Sequence, residues 1–146
     1  MTGAGTVSVT GGEVMSNTAG AEGGGLWNGT GTMSVDGTTI SNNTASGNEA
    51  DQGGGGLFNA GGTLTATILG NVANGTAGSG GGILNDAGGT VNVSASTISG
   101  NTSNRAGGGI ETTTTGATVN LTTVDLLNNG DGLAYITLAG GGLVII

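Results

Sequence analysis

Catalysis and metal binding need side chains that can take a proton, attack a substrate or coordinate an ion, and this sequence holds few of them. Its 146 residues include no His and no Cys, and Arg105 is the single basic side chain. Nucleophilic triads are excluded, because they need an imidazole to accept the nucleophile's proton. Without Cys there is no disulfide and no thiolate metal site. What remains is nine carboxylates: Glu13, Glu22, Asp36, Glu49, Asp51, Asp86, Glu111, Asp125 and Asp131. Glycoside hydrolysis would require two of them to converge across one bond, and they share no common repeat offset. Glu22, Glu49 and Asp51 each precede a run of glycines, so neighbouring turns of the chain can bring them together. A calcium site is one reading of that group and a set of solvated loops is the other. The sequence reads as non-enzymatic, with no catalytic, cofactor-binding or metal residue assigned.

Charge narrows the partners further. The net charge is −8, and one cation cannot neutralise a phosphate backbone, so nucleic acid is not a partner. No apolar run approaches the roughly 20 residues of a membrane-spanning helix. The N-terminus lacks the basic and apolar regions of a signal peptide. Gly occupies 36 positions, a composition that often marks low complexity. Against disorder stand a hydrophobic fraction of 34% and only 7% charged residues. The apolar residues are also periodic.

The elements that position these side chains repeat. The motif GGGLWN (Gly23 to Asn28) returns as GGGLFN (Gly54 to Asn59), GGGILN (Gly80 to Asn85) and GGGIET (Gly107 to Thr112), with a weaker GGGLVI near the end. Five units open on Thr6, Thr32, Thr63, Thr90 and Thr118, at spacings of 26, 31, 27 and 28 residues. One and three residues after each Thr stand Val7 and Val9, Met33 and Val35, Leu64 and Ala66, Val91 and Val93, Val119 and Leu121. The positions between are small and polar. This period of two is a strand with one face buried. A second apolar position follows at Val14, Ile40, Ile98 and Leu126, while unit three has Asn71 there, followed by Val72. The glycine motif supplies a third strand through Leu26, Leu57, Ile83, Ile110 and Leu143.

Three short strands per unit predict an all-β fold, a right-handed parallel β-helix (β-solenoid) of about five coils of 26–31 residues. Residues 1–146 form one domain, with 131–146 a terminal apolar segment. Asn17, Asn43, Asn74, Asn101 and Asn129 share one offset. They read as a stacked amide ladder, a repeated turn residue, or both. The glycine triplets read as corners, since phosphate cradling would need a Lys and a following helix.

The stretch GGGLWNGTGTMSVDGTTISNNTASG resembles bacterial surface-protein repeats related to the chlamydial polymorphic outer-membrane proteins and autotransporter passengers. The resemblance covers the chain to about Gly130. It implies a right-handed parallel β-helix on an exported, cell-surface protein with an adhesive or structural role. This chain departs from that group in being much shorter and in showing no recognisable barrel or anchor.

Three surfaces are candidates for function. Trp27, Phe58 and Leu84 follow the inward aliphatics and so are expected to point outward, as an apolar stripe for lateral packing or for stacking on glycans. The opposite expectation is that this column is buried. Thr6/Ser8, Thr32/Ser34, Thr63/Thr65, Thr90/Asn92 and Thr118/Asn120 form an outward polar array, either a solvated face or an ice-binding one similar to the Thr-x-Thr rows of β-solenoid antifreeze proteins. The third surface is the pair of ends. No polar cap is evident, and open strand edges recruit further strands. Thr6, Val7 and Val9 at one end, and Leu143, Val144, Ile145 and Ile146 at the other, are expected to join copies head to tail into a homopolymer. Glycans and other surface proteins are the remaining partners, and ice binding is the alternative function.

Overall fold

The computed structural model describes residues 1–67, 71–73, 76–130, 136–138 and 142–145; for 71–73, 76–77, 136–138 and 142–145 it describes the backbone alone. Asn74 and Ile146 therefore lie outside the described residues. Those that are described contain strands, turns and bends and no helix. Among the described residues no helix is thus long and apolar enough to cross a membrane.

Among the described residues every strand pairing is parallel, and the strands build three sheets of a β-solenoid of about four turns. The first sheet contains β1 (Thr6–Thr10), β2 (Glu13–Met15), β5 (Thr32–Asp36), β6 (Thr39–Ser41), β9 (Thr63–Thr67), β10 (Asn71–Ala73), β13 (Thr90–Ser99), β16 (Thr118–Leu127) and β18 (Gly142–Ile145). The second is short: β3 (Thr18–Ala19), β7 (Thr44–Ala45), β11 (Thr76–Ser79) and β14 (Thr102–Ala106). The third carries the residues after the glycine triplets: β4 (Leu26–Asn28), β8 (Leu57–Ala60), β12 (Ile83–Asp86), β15 (Ile110–Thr112) and β17 (Ile136–Leu138).

The opening threonines pair in unbroken succession, Thr6 to Thr32, Thr63, Thr90 and Thr118. The apolar alternation then fills the interior. Met33, Val35, Ile40, Leu57, Leu64, Ile83, Val91, Val93, Ile98, Ile110, Val119 and Leu121 form one buried cluster. Unit three, which lacks an apolar residue at the expected offset, is one residue longer there. Val72, not Asn71, stands in register with Ile40 and Ile98.

Corners are made by left-handed backbone at repeated places. Five residues after the opening Thr stand Gly11, Gly37, Ala95 and Thr123, with φ of 65°, 60°, 44° and 54°. At this bend β1 and β5 stop, whereas β13 and β16 run through it as ten-residue strands. A second left-handed column is Ser16, Asn42, Gly100 and Asn128, with φ of 57°, 54°, 63° and 52°. It immediately precedes the Asn column. Turning and laddering, which the sequence leaves on one residue, are thus divided between two neighbours.

The glycine triplets form the third corner. Their first members, Gly23, Gly54, Gly80 and Gly107, have φ of 62°, 65°, 56° and 62°, where an L-residue is strained. Their later members stack backbone on backbone, as in Gly24 N–H to Gly54 O at 3.1 Å and Gly81 N–H to Gly107 O at 3.1 Å. A Cβ on Gly81 would lie 2.3 Å from the Thr102 carbonyl oxygen. Only glycine lets the turns close to this separation.

Candidate functional site

Two amide ladders run through the solenoid. In the first, Asn43 Oδ1 accepts from both the backbone N–H and Nδ2 of Asn17, at 3.0 and 2.9 Å. Asn129 Oδ1 does the same for Asn101, at 3.1 and 3.0 Å. The Nδ2 groups of Asn43 and Asn129 donate to the Val14 and Ile98 carbonyls, both at 2.8 Å. Asn43, Asn101 and Asn129 are buried, while Asn17, on the outermost turn, is exposed.

The second ladder was not assigned from the sequence, although its signal is there in the last letter of GGGLWN, GGGLFN and GGGILN. Asn28 donates to Asn59 Oδ1 at 2.8 Å, and Asn59 donates to Asn85 Oδ1 at 2.9 Å. Each amide also caps a local carbonyl, Gly31, Gly62 or Gly89. All three residues are fully buried. The column ends where Thr112 replaces Asn, in register with Asn85. Asn28 Oδ1, at the other end, is buried without a hydrogen-bond donor.

The expected outward stripe is corrected by the structure. Trp27, Phe58 and Leu84 do form one column, but Phe58 is 2% exposed and Leu84 0%. Glu111, which continues the column, is buried too. The cause is the left-handed glycine before each strand. It folds the chain back so that a Cβ there would lie 2.8 Å from Trp27 Cβ, 3.0 Å from Phe58 Cβ and 2.5 Å from Glu111 Cβ. Stacked neighbours cover the rest. Trp27 alone stays half-exposed. Its ring lies parallel to that of Phe58, with centroids 6.2 Å apart and planes 3° from coplanar. Its Nε1 donates to Glu22 Oε2 at 2.9 Å.

The polar array faces outward across the first sheet. Thr6, Ser8, Thr32, Thr63 and Thr65 are exposed, and Ser34, Thr90, Asn92, Thr118 and Asn120 are half-buried. A third polar row, Thr10, Asp36, Thr67, Ser94 and Thr122, extends it in the same register. Several of these groups are tied to one another: Asn120 donates to Asn92 Oδ1 at 2.7 Å, and the Thr67 and Ser94 hydroxyls are 3.2 Å apart.

At the first turn, β1, β2, β3 and β4 are each the outermost strand of their row. Residues before Thr6 cover part of this edge. The Met1 amino group donates to the Trp27 carbonyl at 2.7 Å, and Gly29 N–H donates to the Met1 carbonyl at 2.8 Å. Val7, Val9 and Val14 remain half-buried against the core. At the far end β18 pairs on β16, with Leu143 opposite Val119 and Ile145 opposite Leu121.

Glu22, Glu49 and Asp51 are not assembled for an ion. Glu22 is engaged with Trp27, and the loop holding Glu49 and Asp51 closes on itself through Gln52, whose Oε1 accepts from Asn48 N–H at 3.2 Å. Among the described residues no group of three or more carboxylates could hold a metal. Comparison with protein-family models, with curated proteins and with solved structures gave no match.

Proposed function

We propose that this chain is a non-enzymatic structural and adhesive solenoid of an exported, surface-exposed protein, which lengthens head to tail by turn-on-turn stacking. We take it to be a right-handed helix of about five coils, as expected of parallel β connections. One observation carries the stacking: the open edge of the first turn. Val7, Val9 and Val14 sit there half-buried, whereas Met33, Val35 and Ile40, one turn further in, are buried. Another turn laid on that edge would complete their burial and pair the free backbone groups of β1, β2 and β3. The Gly142–Ile145 strand carries Leu143 and Ile145 in the register columns of Val7 and Val9, so the tail of one copy offers the head of the next a matching strand. The exported, surface location rests on the resemblance to bacterial surface repeats. The test is light scattering on chromatographed protein over a hundredfold range of concentration. Mass that rises with concentration supports stacking, and a constant monomer mass rejects it.

Ice binding is the second reading, favoured by the unbroken column of Thr6, Thr32, Thr63, Thr90 and Thr118. Asp36 in the neighbouring row and the Asn92–Asn120 bond weigh against it. Thermal hysteresis decides it: a freezing gap lost in Thr63→Val would establish ice binding, and no gap would remove it.

A further inference from the structure

Asn followed by Gly is a self-reactive pair. The glycine backbone nitrogen, unshielded by a side chain, can attack the asparagine Cγ and expel ammonia. The pair occurs at Asn28–Gly29, Asn74–Gly75 and Asn129–Gly130. Asn74 lies outside the described residues, and Asn28 is a fully buried rung of the second ladder. At Asn129–Gly130 both reacting groups are held. Asn129 is 6% exposed. Its Oδ1 accepts from the Asn101 backbone N–H and Nδ2 at 3.1 and 3.0 Å, and its Nδ2 donates to the Ile98 carbonyl at 2.8 Å. The attacking nitrogen is engaged as well. Gly130 N–H donates to the Asn101 carbonyl at 2.8 Å, and Gly130 O accepts from Ser103 N–H at 3.1 Å. Packing does not demand this glycine, since a Cβ on it would meet no atom within 4 Å.

We propose that Asn129–Gly130 is a latent self-modification site, silenced by the ladder and released when the turns separate. Attack needs the Asn129 side chain to swing toward Gly130 N, which breaks its bonds to Asn101 and Ile98. It also needs Gly130 N to leave the Asn101 carbonyl. In an opened turn neither restraint exists. The Gly130 N–Cγ bond then forms and the Cγ–Nδ2 bond breaks. Ammonia leaves with the Gly130 N–H proton, and a five-membered succinimide remains. Water opens that ring to aspartate, or to isoaspartate, in which the main chain runs through Cβ and Cγ. Neither product fits the ladder. Aspartate has no N–H for the Ile98 carbonyl and sets a carboxylate against it in a buried place. Isoaspartate lengthens the main chain by one atom and carries Gly130 out of register with Thr102. Opening is thereby one-way: a turn that stays open long enough for the reaction cannot close again. The site depends neither on stacking between copies nor on a surface location.

Arg105 is the only basic residue, so trypsin makes a single cut and releases residues 106–146, in which Asn129–Gly130 is the sole Asn–Gly pair. Native protein, and protein unfolded in guanidinium chloride, would be held at mildly alkaline pH and sampled over days. After cutting, the fragment is scored by its mass and by isoaspartyl methyltransferase. Modification in the native chain should be at least about tenfold slower, because it waits on local opening. Asn101→Ala, in a variant whose circular dichroism is unchanged, should raise the native rate severalfold. Gly130→Ala, for which the fold has room, should suppress the reaction in the unfolded chain. On dilution from denaturant, the modified fragment should be enriched in chains that fail to refold, separated by size from those that do. Equal rates in native and unfolded protein, an undiminished rate in Gly130→Ala, an unchanged native rate in Asn101→Ala, or modified chains that refold as fully as unmodified ones would overturn the assignment.

Discussion

The side-chain amide of Asn59 donates to Asn85 Oδ1 at 2.9 Å, and both residues are fully buried. A hydrogen bond between two amides is worth little in net terms when water can replace it. Here no water can, so its loss leaves an acceptor stranded in the interior. Asn28 donates into the same ladder from the turn before.

The ladder therefore makes a graded prediction. Asn59→Ala strips Asn85 Oδ1 of its donor and Asn28 Nδ2 of one acceptor, and should lower stability by about 3 kcal/mol. Asn17→Ala, on the exposed first turn, should cost less than about 1 kcal/mol. Urea unfolding midpoints check both. Equal effects would mean that the ladder is decoration.

The left-handed corner at Thr123 is a stored cost. Gly occupies the equivalent place at Gly11 and Gly37, while Thr123 holds φ of 54° with a β-branched side chain. Thr123→Gly should raise stability by about 0.5–1 kcal/mol, the released strain exceeding the entropy that glycine adds to the unfolded chain. Its neighbour Thr122 pairs with Ser94 in the ladder. There the same change should lower stability by about 1 kcal/mol. A loss at both positions would show that the corner carries no strain.

Close approach of the turns sets a third test. Gly81→Ala puts a methyl 2.3 Å from the Thr102 carbonyl oxygen and 2.5 Å from that of Gly108. Both obstacles are backbone, so the variant should lose more than about 3 kcal/mol or fail to fold. Gly20 has nothing within 4 Å of its Cβ position, and Gly20→Ala should be neutral within about 0.5 kcal/mol. Circular dichroism melts separate the two.

Assembly should respond to salt. Copies of net charge −8 repel one another. The screening length falls from about 30 Å at 0.01 M ionic strength to about 8 Å at 0.15 M, so raising salt over that range should speed elongation. Light-scattering growth curves give the sign, and slower growth in salt would argue against end contacts built on apolar and backbone groups.

Much of the scaffold was legible because its physics is periodic. Val7 and Val9 and their counterparts announce a half-buried strand by alternation alone, and the shared offset of Asn17, Asn43, Asn101 and Asn129 announces a ladder. Where one residue was inserted, as before Val72, the fixed offset falls on Asn71, and pairing places Val72 in register with Ile40 and Ile98. The Trp27–Phe58–Leu84 column was harder. Alternation gives the side of the strand, but whether that side meets water depends on the path of the preceding corner. That path is set by the left-handed φ of Gly23, Gly54 and Gly80, which a glycine run permits without dictating. The Asn28–Asn59–Asn85 ladder was legible in principle, since its spacing repeats as regularly as the ladder that was found.

In the proposed assembly, turns stack between copies as they do within one. Electron microscopy of the purified chain over a range of concentrations tests it most directly. Stacked copies would form unbranched fibres whose diffraction shows an axial spacing of about 4.8 Å, the separation of paired strands. Discrete particles of uniform size at every concentration would contradict it.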